Sequence, residues 1–327
     1  MTETKKFDLK IWVKAHAMDL AAYGGLMVCI LIFTIVPPLV GGEILWSQAK
    51  LSTLMSNVIV TALLSVGAVF IYSMGCMNIS VGGQVGLYAT IIVVMGNMTG
   101  SLIPGILLSL VIALFIGVVN GATGQLLHIY PIISSVVFMM VLNGLKSIIY
   151  NNLGSRNISL SGVDYRMFRS PVVMVVVLVI EFVIVSLLFN YTKLGKNAKA
   201  IGANSTAAEQ SGIHPILYRV LPYLVFACCV VTASVFQMGY TGSASDSTGT
   251  GFEMNIMVSL ILGGMPLSGG MRSRVSKAVV GAFTFSLLEV GLPLIGVPNE
   301  MTFFVKAIIF IIVVLITCRK HSGTLPR

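Results

Sequence analysis

The chain has 327 residues, of which 56% are hydrophobic and only 9% charged, whereas soluble domains carry about 25% charged residues. A globular protein of this length could not hide so much apolar surface, so lipid must surround most of the chain, and a separate soluble domain has no room. The formal net charge of +9 follows from where the basic residues fall along the spans rather than from a nucleic-acid face, and no nucleic-acid partner is expected.

A span needs about 20 apolar residues, fewer where a helix is broken and shielded by neighbours. Ten are read: 20–41, 53–74, 84–99, 104–127, 131–150, 171–190, 219–239, 252–265, 277–297 and 302–318. The third and eighth are short. Lys5, Lys6, Lys10 and Lys14 precede the first apolar run. That run is too long for the core of a signal peptide and no small-residue cleavage site follows, so it reads as an uncleaved span. The expected fold class is an all-α polytopic membrane protein of about ten helices, some short or broken, with both termini cytoplasmic. Residues 1–327 then form one transmembrane domain, with cytoplasmic segments at 1–19, 191–218 and 319–327.

In that orientation the basic residues concentrate on one side. Lys5, Lys6, Lys10, Lys14, Lys193, Lys196, Lys199, Arg219, Arg272, Arg274, Lys277, Arg319, Lys320 and Arg327 fall inside, against Lys50, Lys146, Arg156, Arg166, Arg169 and Lys306 outside. This is the bias expected of cytoplasmic loops.

Three stretches interrupt the apolar pattern. Met74 to Gly86 joins spans two and three with no hydrophilic loop, and its four glycines suit irregular backbone at membrane depth. The segment 151–170 is polar, turn-rich and external. Thr241 to Gly251 is read as a second external segment, followed by glycine pairs at Gly263-Gly264 and Gly269-Gly270. A short echo links Asn78-Ile79-Ser80-Val81-Gly82-Gly83 with Pro266-Leu267-Ser268-Gly269-Gly270. Paired glycine-interrupted segments in two halves point to a pathway at a repeat interface, although so short an echo also arises by chance. Gly117-xxx-Gly121 permits close helix packing.

The five cysteines are odd in number, contain no CxxC and sit mostly in apolar runs, which fits small buried hydrophobes rather than a disulfide framework or metal site. No phosphate-binding Gly-rich Lys-Ser/Thr loop, no HExxH and no GxSxG occurs, so the chain itself carries no hydrolytic machinery. Glu181 and Glu289 fall near the middle of spans six and nine. A charge there costs roughly 2.5–3.5 kcal/mol on insertion scales, so each carboxyl faces protein or water, or is protonated. Two readings stay open, a proton-coupling or substrate-contacting group and a carboxyl bonded to neighbouring helices. Lys306, a few residues into span ten, is expected to snorkel to the outer surface.

The longest polar interruption is Leu194 to Gly212. Thr206-Ala207-Ala208-Glu209 fits a capping box, Asn204 competes as the cap, Gly212 offers a stop and Pro215 prevents continuation. The result is a helix of about two turns with small side chains that permit close docking into a partner's groove.

Gly202-Ala203-Asn204, Ala207-Ala208-Glu209 and Ser211-Gly212-Ile213 resemble the cytoplasmic coupling segment of ABC importer permeases of the ribose and monosaccharide type. Asn78-Ile79-Ser80-Val81-Gly82 is similar to that family's D-L-S-V-G segment. Thr250-Gly251-Phe252-Glu253, Gly263-Gly264 and Leu267-Ser268-Gly269-Gly270 are similar to its G-x-G-x-E-L…G-G-x-x-L-x-G-G signature. The resemblance runs in order from about residue 50 to 318. It implies a transport subunit without enzymatic activity, in the bacterial cell membrane, that carries a small polar solute such as ribose. It also implies a cytoplasmic ABC ATPase that binds ATP and Mg, an extracytoplasmic substrate-binding protein and a second permease copy, identical or paralogous; the chain itself needs no cofactor or metal. The carry-over puts Asn204, Thr206, Ala207, Ala208, Glu209, Ser211, Gly212 and Ile213 at the ATPase interface. Asn78, Ser80, Gly82, Gly83, Gln84, Glu253, Asn255, Gly263 and Gly264 are placed along the translocation path, where the polar ones contact solute or bond to neighbours.

The chain departs from the pattern at Asn78, where the family has Asp, and at Met265-Pro266 and Met271-Arg272-Ser273, where it has small residues. The departures leave the solute open among pentoses, hexoses, inositols, a signalling furanone and nucleosides. An ion-coupled secondary transporter using Glu181 and Glu289 is the alternative.

Overall fold

The computed structural model describes residues 9–39, 44–127, 129–266 and 268–318. Residues 1–8 of the expected cytoplasmic segment 1–19, the expected cytoplasmic tail 319–327, and Leu267 within the second glycine segment lie outside them. The helices are α1 (Leu9–Leu39), α2 (Gln48–Ser73), α3 (Val81–Thr99), α4 (Ile103–Leu126), α5 (Pro131–Leu153), α6 (Pro171–Tyr191), α7 (Lys193–Ala203), α8 (Ser205–Gln210), α9 (Pro215–Thr241), α10 (Phe252–Leu262), α11 (Val275–Leu294) and α12 (Asn299–Cys318). Prolines begin α5, α6 and α9, where the missing N–H has no intrahelical partner to lose.

Among the described residues eight helices are long and apolar enough to cross a membrane, and the protein is an all-α polytopic membrane protein. The eighth expected span is the 11-residue α10. At 1.5 Å per residue it covers only about half of a 30 Å hydrocarbon core.

Burial orders the bundle. From Val58 to Ser73 every residue of α2 is buried, and it packs against α9, α11, α6 and α10. The outer helices instead turn aliphatic side chains outward, such as Val111 and Phe115 on α4 and Val179, Ile180, Val183 and Ile184 on α6. Apolar outer faces this extensive suit a hydrocarbon surrounding. The Gly117-xxx-Gly121 face of α4 meets α9 as expected: a Cβ at Gly117 would lie 3.1 Å from Tyr223 O, and one at Gly121 2.9 Å from Val220 Cα.

The two ends of the bundle differ. Strand β1 (Asn157–Ser159) pairs antiparallel with β2 (Ser243–Ser245), so segment 151–170 and the start of segment 241–251 share one end. A 3-10 turn, Arg166–Arg169, lies between β1 and α6. Helices α7 and α8 lie at the other end, across the length of α6 and α9.

Two expectations are corrected. Only residues 74–80 are irregular between α2 and α3, because Gly82, Gly83, Gln84 and Gly86 already belong to α3. Nor does Thr241–Gly251 stay outside the bundle. It descends along α3, from the Asn97 amide that donates to Ser159 O (2.9 Å) beside the β1–β2 ribbon down to Gly82 and Gly86, which face Gly249 and Thr248. A second stretch of irregular backbone therefore enters the bundle here, and the side-chain-free faces of Gly82 and Gly86 make room for it.

Candidate functional site: a small-residue knob and a glycine-lined joint

Helices α7 and α8 form a knob between α6 and α9. Thr192 caps α7, its hydroxyl accepting from Leu194 N at 3.2 Å. Gly195, Ala198 and Ile201 are buried on one side of α7. Gly202 rests on the end of α2, where Gly270 N donates to Ser73 O at 2.7 Å. The Ser73–Gly75 and Ser268–Gly270 turns therefore touch each other and the knob together. Lys199 Nζ lies 4.2 Å over the Phe189 ring. Burial, reinforced by Arg274, pulls its ammonium below the ordinary lysine range.

Of the two caps weighed for α8, Asn204 is used: its Oδ1 accepts from Ala207 N at 3.0 Å. Thr206 lies inside the first turn, so the Thr206–Glu209 capping box does not form. The helix closes with Ile213 N donating to Ala208 O (3.2 Å) and Gly212 N to Glu209 O (3.0 Å), with Gly212 at φ +82°. That paired closure requires a left-handed residue at this position, which glycine supplies. Only Ala208 of α8 is buried; Thr206, Ala207, Glu209, Ser211 and Gly212 are exposed and Ile213 is half-buried. The sequence pattern did not separate α7 from α8, because its period is blurred by alanine and glycine.

A six-residue helix holds no structure by itself, so its cap matters. Asn204→Ala is expected to cost about 1 kcal/mol. Amide exchange over 205–211 should then quicken about fivefold, and Asn204→Asp should restore it.

The second arrangement surrounds the first turns of α3. Asn78, Ser80 and Gln84 are buried. Ser80 N and Oγ both donate to Asn78 Oδ1 (3.0 and 2.6 Å), and Gln84 Nε2 and Asn120 Nδ2 both donate to Ser80 Oγ (2.8 and 3.2 Å). Ile79 N donates to Ser135 Oγ at 3.1 Å. These side chains join α3, α4 and α5 and turn toward one another. Asn78 Nδ2 finds no partner among the described residues.

The face of α3 beyond them is bare. A Cβ at Gly83 would meet Leu142 Cβ at 3.2 Å, with Asn143 Oδ1 3.6 Å away. One at Gly82 would run into Glu253 Oε2 and lie 2.6 Å from Gly249 O. One at Gly86 would meet Thr248 O and stand 3.2 Å from Lys146 Nζ. Lys146, 3% exposed, donates to Thr248 O at 3.4 Å, and Ser147 Oγ to Asp246 Oδ1 at 3.4 Å.

Thus Glu253 at the start of α10 meets Gly82, whereas Gly83 faces α5, and Asn255, two residues after Glu253, is half-buried. Gly263 lies farther off, packed against Lys277 O of α11, and Lys277 Nζ donates to Gly264 O at 3.0 Å. Asn143, Lys146, Ser147 and Asp246 were missed by the sequence reading. The first three had a signal in the open, Asn143, Lys146 and Ser147 clustered within about one turn of an otherwise apolar stretch of α5; Asp246 had none of that kind.

The two intramembrane carboxylates stand apart. Glu289 takes an ion pair from Lys306 at 3.0 Å, and the ammonium also lies 4.8 Å over the Phe285 ring. Lys306 therefore does not snorkel to the surface; an internal carboxylate within reach outweighs the longer path to water. Glu181 accepts from Thr232 Oγ1 at 2.7 Å. Among the described residues no group of three or more His, Cys, Asp or Glu could hold a metal ion.

Comparison with known proteins meets this geometry. The profile of a family described as the permease component of branched-chain amino acid transport systems matches residues 50–314. The galactose/methyl galactoside import permease MglC of Haemophilus influenzae is 26% identical over 266 residues, covering 75% of this chain and 79% of that protein. The ribose import permease RbsC of Escherichia coli K12 is 24% identical over 329 residues, 98% and 100% of the two chains. RbsC of Bacillus subtilis is 27% identical over 318 residues, 93% and 94%. The eight apolar membrane-length helices among the described residues and these relatives make the protein a transport component of the bacterial cell membrane and not an enzyme. The chain belongs to the permease-component family of branched-chain amino acid transport systems, on the branch that contains the sugar import permeases.

Proposed function

We propose that the chain is the membrane half of an ATP-driven importer for a small polar solute, a monosaccharide such as ribose, handed over by an extracytoplasmic binding protein. The observation that carries the reading is α8: a capped helix of small side chains with one buried residue, seated through α7 on the end of α2. In this reading residues 191–218 and both termini are cytoplasmic. Asn204 to Ile213 enter a groove of a partner ATPase, which alone holds ATP and Mg. Closure of two such subunits moves α8, and the contact of Gly202 with Ser73 and Gly270 passes the movement to α2 and the 268–270 turn.

A second permease copy, identical or paralogous, completes the path. The wall this chain would contribute is the polar edge of α5 with the re-entrant segment, Asn143, Ser147, Asp246, Glu253 and Asn255. Neutral sugars need hydroxyl and amide partners of this kind. Asn78, Ser80 and Gln84 serve the same path from behind, by holding α3 against α4 and α5.

Ala207→Arg tests the reading, because Ala207 is exposed and touches nothing the fold needs. Uptake should fall at least tenfold and the ATPase should no longer co-purify, with membrane insertion unchanged. Normal uptake in that variant would sink the proposal.

A further inference from the structure

At the end of the bundle remote from α7 and α8, a groove of about 670 Å³ opens where α2 and α6 begin and the 3-10 turn passes between them. Leu51, Met55 and Pro171 form its apolar walls, and Arg166 and Arg169 stand at its rim. Both arginines are exposed, and among the described residues neither has a carboxylate within ion-pair distance. Arg169 is held in place: its guanidinium lies 5.9 Å over the Tyr240 ring, and the Tyr240 hydroxyl donates to Thr53 Oγ1 of α2 at 3.3 Å.

The surroundings are those of a membrane border. The groove continues onto the exposed aliphatic side of α6 at Val172, Val175, Val176 and Val179. Nearby Trp46 is half exposed, its indole N–H donating to Thr34 Oγ1 at 3.1 Å, the placement amphipathic rings take at the interface. Two unneutralised guanidiniums call for a polyvalent or bidentate anion, and the starts of α2 and α6 add positive potential of the same sign. A free anion would leave the Leu51–Met55–Pro171 walls wet. An acidic protein segment would have to lie on a surface continuous with hydrocarbon. One molecule satisfies both halves.

We propose that this groove binds one anionic phospholipid, its phosphate between Arg166 and Arg169 and an acyl chain along Leu51, Met55 and Pro171. The site does not depend on transport and stands or falls separately from it.

The test is thermal unfolding of the purified, delipidated chain in mild detergent, with added phosphatidylglycerol, phosphatidylcholine or inorganic phosphate. Phosphatidylglycerol is expected to raise the midpoint by roughly 3 °C or more, phosphatidylcholine and inorganic phosphate by much less. The Arg166→Gln/Arg169→Gln variant should lose that increment. Native mass spectrometry of the wild-type chain should retain one phosphatidylglycerol, and Arg166→Gln alone, which leaves the Arg169–Tyr240 contact in place, serves the same comparison if the double variant does not fold. An equal rise with phosphatidylcholine, an equal rise with inorganic phosphate, or an undiminished rise in the glutamine variants overturns the proposal. So does self-cross-linking of Ser52→Cys across the groove, which would show a second copy in the lipid's place.

Discussion

Gly249→Val is expected to lose most of the folded protein and to reduce uptake at least tenfold. Gly249 has φ +89°, a conformation that costs a residue with a Cβ about 1–3 kcal/mol, most for β-branched ones. The added Cβ would also overlap Gly82 O and lie 2.7 Å from Gly86 N. Both neighbours are backbone of α3 and have no rotamer with which to yield, so the strands of the joint must separate. Lifting the re-entrant segment strips Lys146 of its Thr248 carbonyl and leaves a buried ammonium unbonded, adding about 1–3 kcal/mol. The comparison is Gly251→Ala, where φ is +90° but nothing lies within 4 Å of the new Cβ; it carries strain without overlap and should cost about 1 kcal/mol. Fluorescence-detected size exclusion and solute uptake read both variants. If Gly249→Val behaves like Gly251→Ala, close packing against α3 is not what shapes this segment.

Gly202→Leu is expected to abolish uptake while leaving the protein in the membrane and bound to its ATPase. Its Cβ would overlap Ser73 O and stand 2.8 Å from Gly270 N, the two atoms joined by the hydrogen bond that closes the end of α2. Overpacking of this kind costs typically 1–3 kcal/mol, enough to lift α7 from α2 but small against a bundle of membrane helices. Because α8 keeps its Asn204 cap and its exposed face, ATPase binding should survive. The loss should be of coupling: hydrolysis continues, and uptake drops at least tenfold. Ala207→Arg should lose both binding and uptake. If Gly202→Leu also loses the ATPase, or retains uptake, the contact with Ser73 and Gly270 is not the link between knob and bundle.

Much of this was legible in the chain. Runs of some twenty apolar residues have one stable environment, so the long helices and their lipid setting follow from composition alone. That α4 would approach a neighbour closely could be read from Gly117 and Gly121, because two missing side chains a turn apart leave a flat face, although only the fold shows that the neighbour is α9. The Gly212 stop was equally local, since its hydrogen bonds reach back only to Ala208 and Glu209.

The polar and glycine residues were a different matter, because their roles depend on partners far along the chain. Asn78, Ser80 and Gln84 look like an open polar path in one dimension, yet Asn120 turns them into a closed joint. Lys306 looks like an anchor at a helix end until Glu289 is found beside it. Thr241–Gly251 reads as an external loop, and only the bare side of α3 at Gly82 and Gly86 shows that it enters the bundle.

What the sequence determined by itself is therefore what short-range physics and lipid decide: the long apolar helices, the Gly212 stop, the small-residue knob and the membrane around them. Only the tertiary structure decided which glycines meet backbone, which polar groups satisfy one another and where segment 241–251 lies. Hydrophobicity acts on each residue separately, whereas a close contact or a buried hydrogen bond exists only once two distant stretches have been brought together.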